Sequence, residues 1–227
     1  MGVIPLSDAS RRPTRMPAVT ASIIAVNALV FLLELLRGET FITSWSLVPA
    51  DIVAGRHLFT ILSSMFMHGS FSHILGNMVF LWAFGPEIED LMGRGRYLVF
   101  YLLGGLAATF AQVAADPTST VSNLGASGAI AAVLGGYALL YPRARVLTLF
   151  FFFFIFFLEI PAMVLLGLWI FTQFLPAVGQ LAAPDIEGGG GVAYWAHIGG
   201  FLFGLATIKL FAHRRSTEYG RPKYPVY

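Results

Sequence analysis

The sequence predicts an all-α membrane protein, a bundle of six transmembrane helices with both termini on the cytoplasmic side. Three observations predict it. Of 227 residues, 57% are hydrophobic and only 11% charged, with a mean hydropathy of +0.75, whereas a soluble domain carries about 25% charged residues. Six apolar stretches, at roughly 18–36, 60–84, 96–115, 125–141, 159–181 and 192–212, approach the ~20 residues needed to cross a ~30 Å hydrocarbon core. The cations divide unequally between the two sides that these spans define. Arg11, Arg12, Arg15, Arg94, Arg96, Arg143, Arg145, Lys209, Arg214, Arg215, Arg221 and Lys223 fall on one side, and only Arg37 and Arg56 on the other. That twelve-to-two division places the first group inside.

In chain order, residues 1–17 contain prolines and read as a flexible cytoplasmic tail. No small-residue cleavage region follows the first span, so Arg11-Arg12 is not read as a twin-arginine signal and the span is an uncleaved anchor. Segment 37–58, with Trp45, Pro49 and Gly55, is too polar to span and too apolar for a solvated loop. It is expected to rest partly in the outer leaflet, with Trp45 at the interface. Residues 146–181 are apolar for some 36 positions, too few for two crossings and a turn. Pro161 suits the first turn of a helix, and Glu159 its positive end. The fifth span therefore starts near Glu159, and 146–158 lies on or against the bundle on the cytoplasmic side; a single long kinked helix is the alternative. The loop 182–191 carries four glycines and is either a linker or a lid. Residues 18–212 thus form the membrane domain, and 213–227 a basic cytoplasmic tail. The absence of cysteine excludes disulfides and thiolate metal sites.

Two small-residue motifs carry polar side chains into these spans. Gly125-Ala126-Ser127-Gly128-Ala129 opens the fourth, and Ala196-His197-Ile198-Gly199-Gly200 lies near the head of the sixth. Both spans run from outside to inside, and at ~1.5 Å per residue both polar groups fall in the outer third of the bilayer. Ser127, Ala131 and Gly135 recur at i, i+4 and i+8, a stripe of small side chains down one helix face. His197, Gly200 and Gly204 recur at i, i+3 and i+7, and Gly200 with Gly204 forms a small-xxx-small motif that lets backbones approach. Pressed together, the stripes bring Ser127 within hydrogen-bond reach of His197, a nucleophile and its base. Taken alone, Ser127 would be interhelical packing; a depth-matched histidine on a glycine stripe reverses that preference.

The second span adds His73 and Asn77, which at i, i+4 share a face about 40° apart. They offer side-chain N–H donors to one spot, as an oxyanion hole requires; interhelical hydrogen bonding is their structural alternative. His68 lies about 140° around the helix from His73, which excludes a zinc-binding pair of the HExxH type. It reads as structural, tying segment 37–58 to the second span. Asp116, Asp185 and Glu187 lie in outer loops without a register behind His197, so a Ser–His dyad is expected.

At these residues the chain resembles the rhomboid family of intramembrane serine proteases. The family's GxSGx motif matches Gly125 to Ala129, its AHxxGxxxG motif Ala196 to Gly204, and its HxxxN motif His73 to Asn77. Gly85 to Arg94 resembles the turn that follows its second span. Together these cover most of 59–205. The resemblance implies a six-helix rhomboid-like bundle with Ser127 as nucleophile, His197 as base, and an oxyanion hole from His73, Asn77 and the Ser127 N–H. Gly125, Gly128, Ala131, Gly200 and Gly204 support the helix packing. It implies transmembrane segments of other proteins as substrates within the lipid bilayer, with no metal, no cofactor and no nucleic-acid partner. A multi-pass location in the plasma membrane is expected. Many members carry a Trp-Arg pair where this chain has Phe59-Thr60, which leaves the bracing of the outer loop open. Some stack an aromatic on the histidine where this chain has Ala131, so what orients His197 is also open, with Tyr137 and Tyr194 as candidates. The alternative class is a catalytically silent relative that binds or escorts membrane helices. A solute transporter would need inverted repeats and mid-membrane charges, which the sequence lacks.

Overall fold

The computed structural model describes residues 2–151, 154–182 and 193–212. The loop at 182–191, but for its first residue, and the tail at 213–227 lie outside them. The chain is mostly helical. Helix α1 spans Ala18–Arg37, and its first N–H groups meet a carboxylate from a distant element. Val19 and Thr20 N–H donate to the Glu89 carboxylate at 2.9 and 2.7 Å, which satisfies the orphan donors at the helix's positive end. Three short helices follow, α2 (Glu39–Trp45), α3 (Pro49–Val53) and α4 (Thr60–Ser63), with a 3₁₀ turn at Ser64–Phe66. Helix α5 (Phe71–Met92) starts at Ser70, whose hydroxyl accepts from the His73 N–H at 3.2 Å. Then come α6 (Arg94–Ala115), α7 (Ser127–Leu140), α8 (Ala162–Ala182) and α9 (Tyr194–Phe211).

Among the described residues, three helices are long and apolar enough to cross a membrane: Ala18–Arg37, Arg94–Ala115 and Ala162–Gly179. Helix α7 is shorter and sits at the centre, buried at every residue from Gly128 to Ala138. Helix α9 packs chiefly on α7 and α6. Around them Phe84, Tyr97, Phe100, Tyr101 and Tyr137 fill the core. Leucines 29, 32, 33, 35 and 36 of α1, with Leu168 and Phe171 of α8, face outward as a lipid-exposed helix requires.

The fold is not all-α. Strands β1 (Gly2–Asp8), β2 (Arg145–Phe151) and β3 (Ile155–Pro161) form an antiparallel sheet in the order β1-β2-β3. Gly2 pairs with Phe151 and Asp8 with Val146, while Arg145 pairs with Pro161 and Phe151 with Ile155. This corrects two expectations and settles a third. Residues 2–8 of the expected flexible tail are a strand. Residues 146–151 and 155–158 are antiparallel strands that pack against α8, so they lie on the bundle and are not part of a long fifth helix. Glu159 stands in β3 opposite Leu147, not at a helix start, and α8 begins just after Pro161. The physical reason is backbone satisfaction. Each apolar run is too short to cross as a helix, so pairing with a neighbouring strand meets its N–H and C=O groups, and its aromatic and β-branched residues suit a strand.

The outer segment is held by backbone. Leu47 and Asn123 exchange two hydrogen bonds at 2.9 and 2.7 Å, and the Ala50 N–H donates to Ser119 O at 3.0 Å. In place of the Trp-Arg pair, Phe59 meets Trp45 edge-on at 5.5 Å and the Thr60 hydroxyl donates to His57 O at 2.7 Å.

Candidate active site

Ser127 is the first residue of α7, and a strained turn puts it there. Gly125 has φ +134°, a region that only glycine enters without penalty, and its N–H donates to Ser64 O at 2.9 Å. A side chain at Gly125 would also collide with His73, whose Nε2 lies 2.8 Å from the position a Cβ would take. The turn thus aims the Ser127 hydroxyl into the bundle and makes room for an imidazole beside it.

Helix α9 reaches that hydroxyl because its glycines let two backbones touch. A Cβ at Gly200 would lie 2.1 Å from Gly128 O and 3.2 Å from the Ala131 Cβ; one at Gly204 would lie 2.0 Å from Ala132 O. The head of α9 is tethered to α6, where Gln112 Oε1 accepts from the Ala196 N–H at 3.2 Å. His197, buried at the fourth position of α9, comes to 2.7 Å between Nε2 and Ser127 Oγ. The two side chains paired from their spacing thus stand within hydrogen-bond distance.

The other side of the ring was not foreseen. His197 Nδ1 lies 2.8 Å from Gln173 Oε1, and the Trp169 ring packs at 5.6 Å with a 39° tilt. Both come from α8 at i, i+4, hence from one helix face. Of the two aromatic candidates, Tyr194 touches the ring edge-on at 6.4 Å. Tyr137 does not reach it: its hydroxyl donates to Asp8 Oδ2 at 2.5 Å, at the opposite end of α7. A polar glutamine one turn from a tryptophan inside an apolar span was the available signal.

His73 of α5 stands against Gly125, beside Ser127, and Asn77 follows it at i+4 on the same helix face. Asn77 is buried, and its Nδ2 has no acceptor among the described residues, an arrangement costly in a packed bundle unless the donor serves something else. His68 is tied differently from expectation. Its N–H donates to Glu34 Oε1 of α1 at 2.9 Å, and its ring stands 5.1 Å from that of His73. It therefore braces α1 against the start of α5, not segment 37–58. A cavity of about 40 Å³ opens beside Ser127, with Ser64, Gln112 and Asn123 among its lining residues, roughly the space of a water molecule or two. Among the described residues, no three His, Asp or Glu side chains are grouped to hold a metal ion.

Comparison with known families adds a match to the rhomboid domain over residues 55–214. The chain belongs to the rhomboid family. Relatives include Rhomboid protein 1, mitochondrial, of Saccharomyces cerevisiae, 28% identical over 81% of this chain and 50% of its own length. RHOMBOID-like protein 12, mitochondrial, of Arabidopsis thaliana is 31% identical over 80% of this chain and 55% of its own. Presenilin-associated rhomboid-like protein, mitochondrial, of Homo sapiens is 30% identical over 88% of this chain and 48% of its own. The chain spans about half the length of these rhomboid relatives. They also correct the expected plasma-membrane location, since the relatives matched are named as mitochondrial.

Proposed function

We propose that this rhomboid is an intramembrane serine endopeptidase of a mitochondrial membrane, cleaving transmembrane segments of other proteins near the end of the bundle that holds Ser127. The observation that carries the reading is the 2.7 Å contact between Ser127 Oγ and His197 Nε2. In the proposed reaction His197 takes the Ser127 proton as Oγ attacks the scissile carbonyl, then returns it to the departing amine. The developing oxyanion is met by the Asn77 amide, His73 and the Ser127 N–H at the head of α7. Water from the polar cavity then hydrolyses the acyl-enzyme, and the second proton transfer restores the hydroxyl.

The substrate class follows from backbone chemistry. A regular helix hides its carbonyls in hydrogen bonds, so a cleavable segment must unwind where helix breakers or small residues allow it. In this reading α1, α5, α6, α7, α8 and α9 are six crossings, with the sheet and the arginine-rich loops on the face opposite the site.

The test is cleavage of a single-span substrate by purified protein in liposomes, with a serine-directed fluorophosphonate as a second readout. Wild type is expected to cleave and to be labelled; Ser127→Ala and His197→Ala are expected to do neither. Cleavage that survives in Ser127→Ala overturns the nucleophile assignment. A folded wild type that binds the substrate helix without cleaving it supports the escort reading instead.

A further inference from the structure

We propose that Gln173 is a positioning residue that sets the tautomer of His197, so that the site works as a Ser127–His197–Gln173 triad and not as a dyad. Its kinetic consequence rests on the proteolytic reading above; its structural content does not.

A neutral imidazole carries one proton on two nitrogens, and only one of the two tautomers can serve as base toward Ser127. Nε2 must hold the lone pair if it is to accept from Oγ, so Nδ1 must hold the proton. Whether Nδ1 is protonated depends on what faces it, here one end of an amide that can be turned either way.

The surroundings of Gln173 decide which end. Its Nε2 lies 2.9 Å from Thr172 Oγ1 and 3.3 Å from Trp169 O. The Thr172 hydroxyl spends its own proton on Trp169 O at 2.7 Å, so toward Gln173 it can only accept. Both of its contacts are therefore acceptors, and the amide NH₂ is the group that satisfies them. Turning the amide would set its oxygen against the Trp169 carbonyl and its NH₂ against Nδ1. With Oε1 fixed toward His197 at 2.8 Å, Nδ1–H donates and Nε2 is free to take the serine proton. The chain of constraint runs from Trp169 O through Thr172 and Gln173 to His197 and Ser127.

The same contact helps when the ring becomes charged. An imidazolium donates from both nitrogens, and Gln173 Oε1 remains an acceptor for Nδ1–H as the tetrahedral intermediate forms. Trp169, one turn away, holds the ring plane. Position 173 should therefore act on the rate of the chemical step and leave substrate binding alone.

Two variants test this in the full chain. Gln173→Met keeps the length of the side chain and removes the acceptor; Gln173→Glu keeps an acceptor. We expect kcat to fall roughly 10–100-fold in Gln173→Met, the range for losing the outer partner of a metal-bound histidine, with KM unchanged. We expect Gln173→Glu to recover most of that loss, with the acid limb of its pH profile moved to higher pH because a carboxylate favours the imidazolium. Among the described residues, the other titratable groups facing His197 are His73 of α5, the Ser127 hydroxyl of α7 and Tyr194 of α9; α6 presents the uncharged Gln112. All are common to both variants, so the shift reports position 173. A role in packing alone predicts the reverse order, since Met fills the space and a buried carboxylate disturbs it.

The second readout needs no activity. In ¹⁵N-histidine spectra, the His197 signals, assigned by their loss in His197→Ala, should mark Nδ1 as protonated in wild type and lose that preference in Gln173→Met. Wild-type kcat and an unchanged tautomer in Gln173→Met overturn the proposal while leaving the protease reading intact. If the wild type cleaves nothing, the protease reading fails and the spectra still decide what Gln173 does.

Discussion

A methyl group at Gly204 would sit 2.0 Å from Ala132 O, against backbone that cannot rotate away. Gly204→Ala must therefore push α9 off α7 and draw His197 away from Ser127. A displacement of about 1 Å in a reacting pair lowers turnover on the order of 10²-fold, and overpacking of this kind costs about 1–3 kcal/mol. Cleavage rates and unfolding midpoints should show both losses, whereas Gly167→Ala, with open space around that Cβ, should show neither. Asn77 makes a different prediction because its Nδ2 has no acceptor among the described residues to lose. Asn77→Ala is expected to lower kcat by about 10²–10³-fold with little change in KM or stability. If Asn77 only held the bundle together, stability would fall and kcat of the folded fraction would not.

Helix α7 is held at both ends, and the sheet supplies the far anchor. Asp8 closes β1 by accepting from Tyr137 and from the N–H groups of Ser10 and Arg11 at 2.7 and 3.0 Å, while Arg11 lies over the Tyr141 ring at 3.7 Å. This anchor was not legible in the sequence, for a physical reason. The β1–β2 pairing joins residues some 140 positions apart, and an apolar run of strand length has no period that separates it from a short buried helix. Burial raises the Asp8 carboxyl above its ordinary range, outweighing Tyr137, the backbone donors and Arg11. The folded state thus keeps a proton that the unfolded chain has released. By linkage, the contribution of Asp8 is complete below the ordinary carboxylate pKa and is lost as pH rises through the raised folded value. Protection factors for β1 amides should therefore fall as pH climbs through that window, and Asp8→Asn should abolish the dependence. Tyr137→Phe removes a hydrogen bond that favours the Asp8 carboxylate, worth about 1.5–3 kcal/mol when the group is charged, and should loosen β1 most above that window.

Across the whole molecule, what the sequence made legible was depth and phase. Ser127 and His197 could be paired because both follow from counting residues along spans that start at the same face. Gln173 was not paired with them, although a polar side chain one turn from Trp169 in an apolar span was there to be read. The same reasoning from depth predicts the arrangement of the chain across the bilayer, on which the proposed reaction depends. Helix α6 runs from Gly93, beside the arginine-rich end, to Asp116, beside the loop that pairs with the outer segment. Its two ends should therefore face different compartments. The chain has no cysteine, so single substitutions read out cleanly with a membrane-impermeant maleimide on sealed vesicles. Exposed positions Ser44 and Thr118 lie toward the Ser127 end, and exposed Ser7 and Gly95 toward the sheet and the arginines. We expect Ser44→Cys and Thr118→Cys to be labelled from one side only, and Ser7→Cys and Gly95→Cys only after permeabilisation opens the other. Labelling of all four from one side would mean that α6 does not cross, and the placement of the site at one membrane face would fall with it.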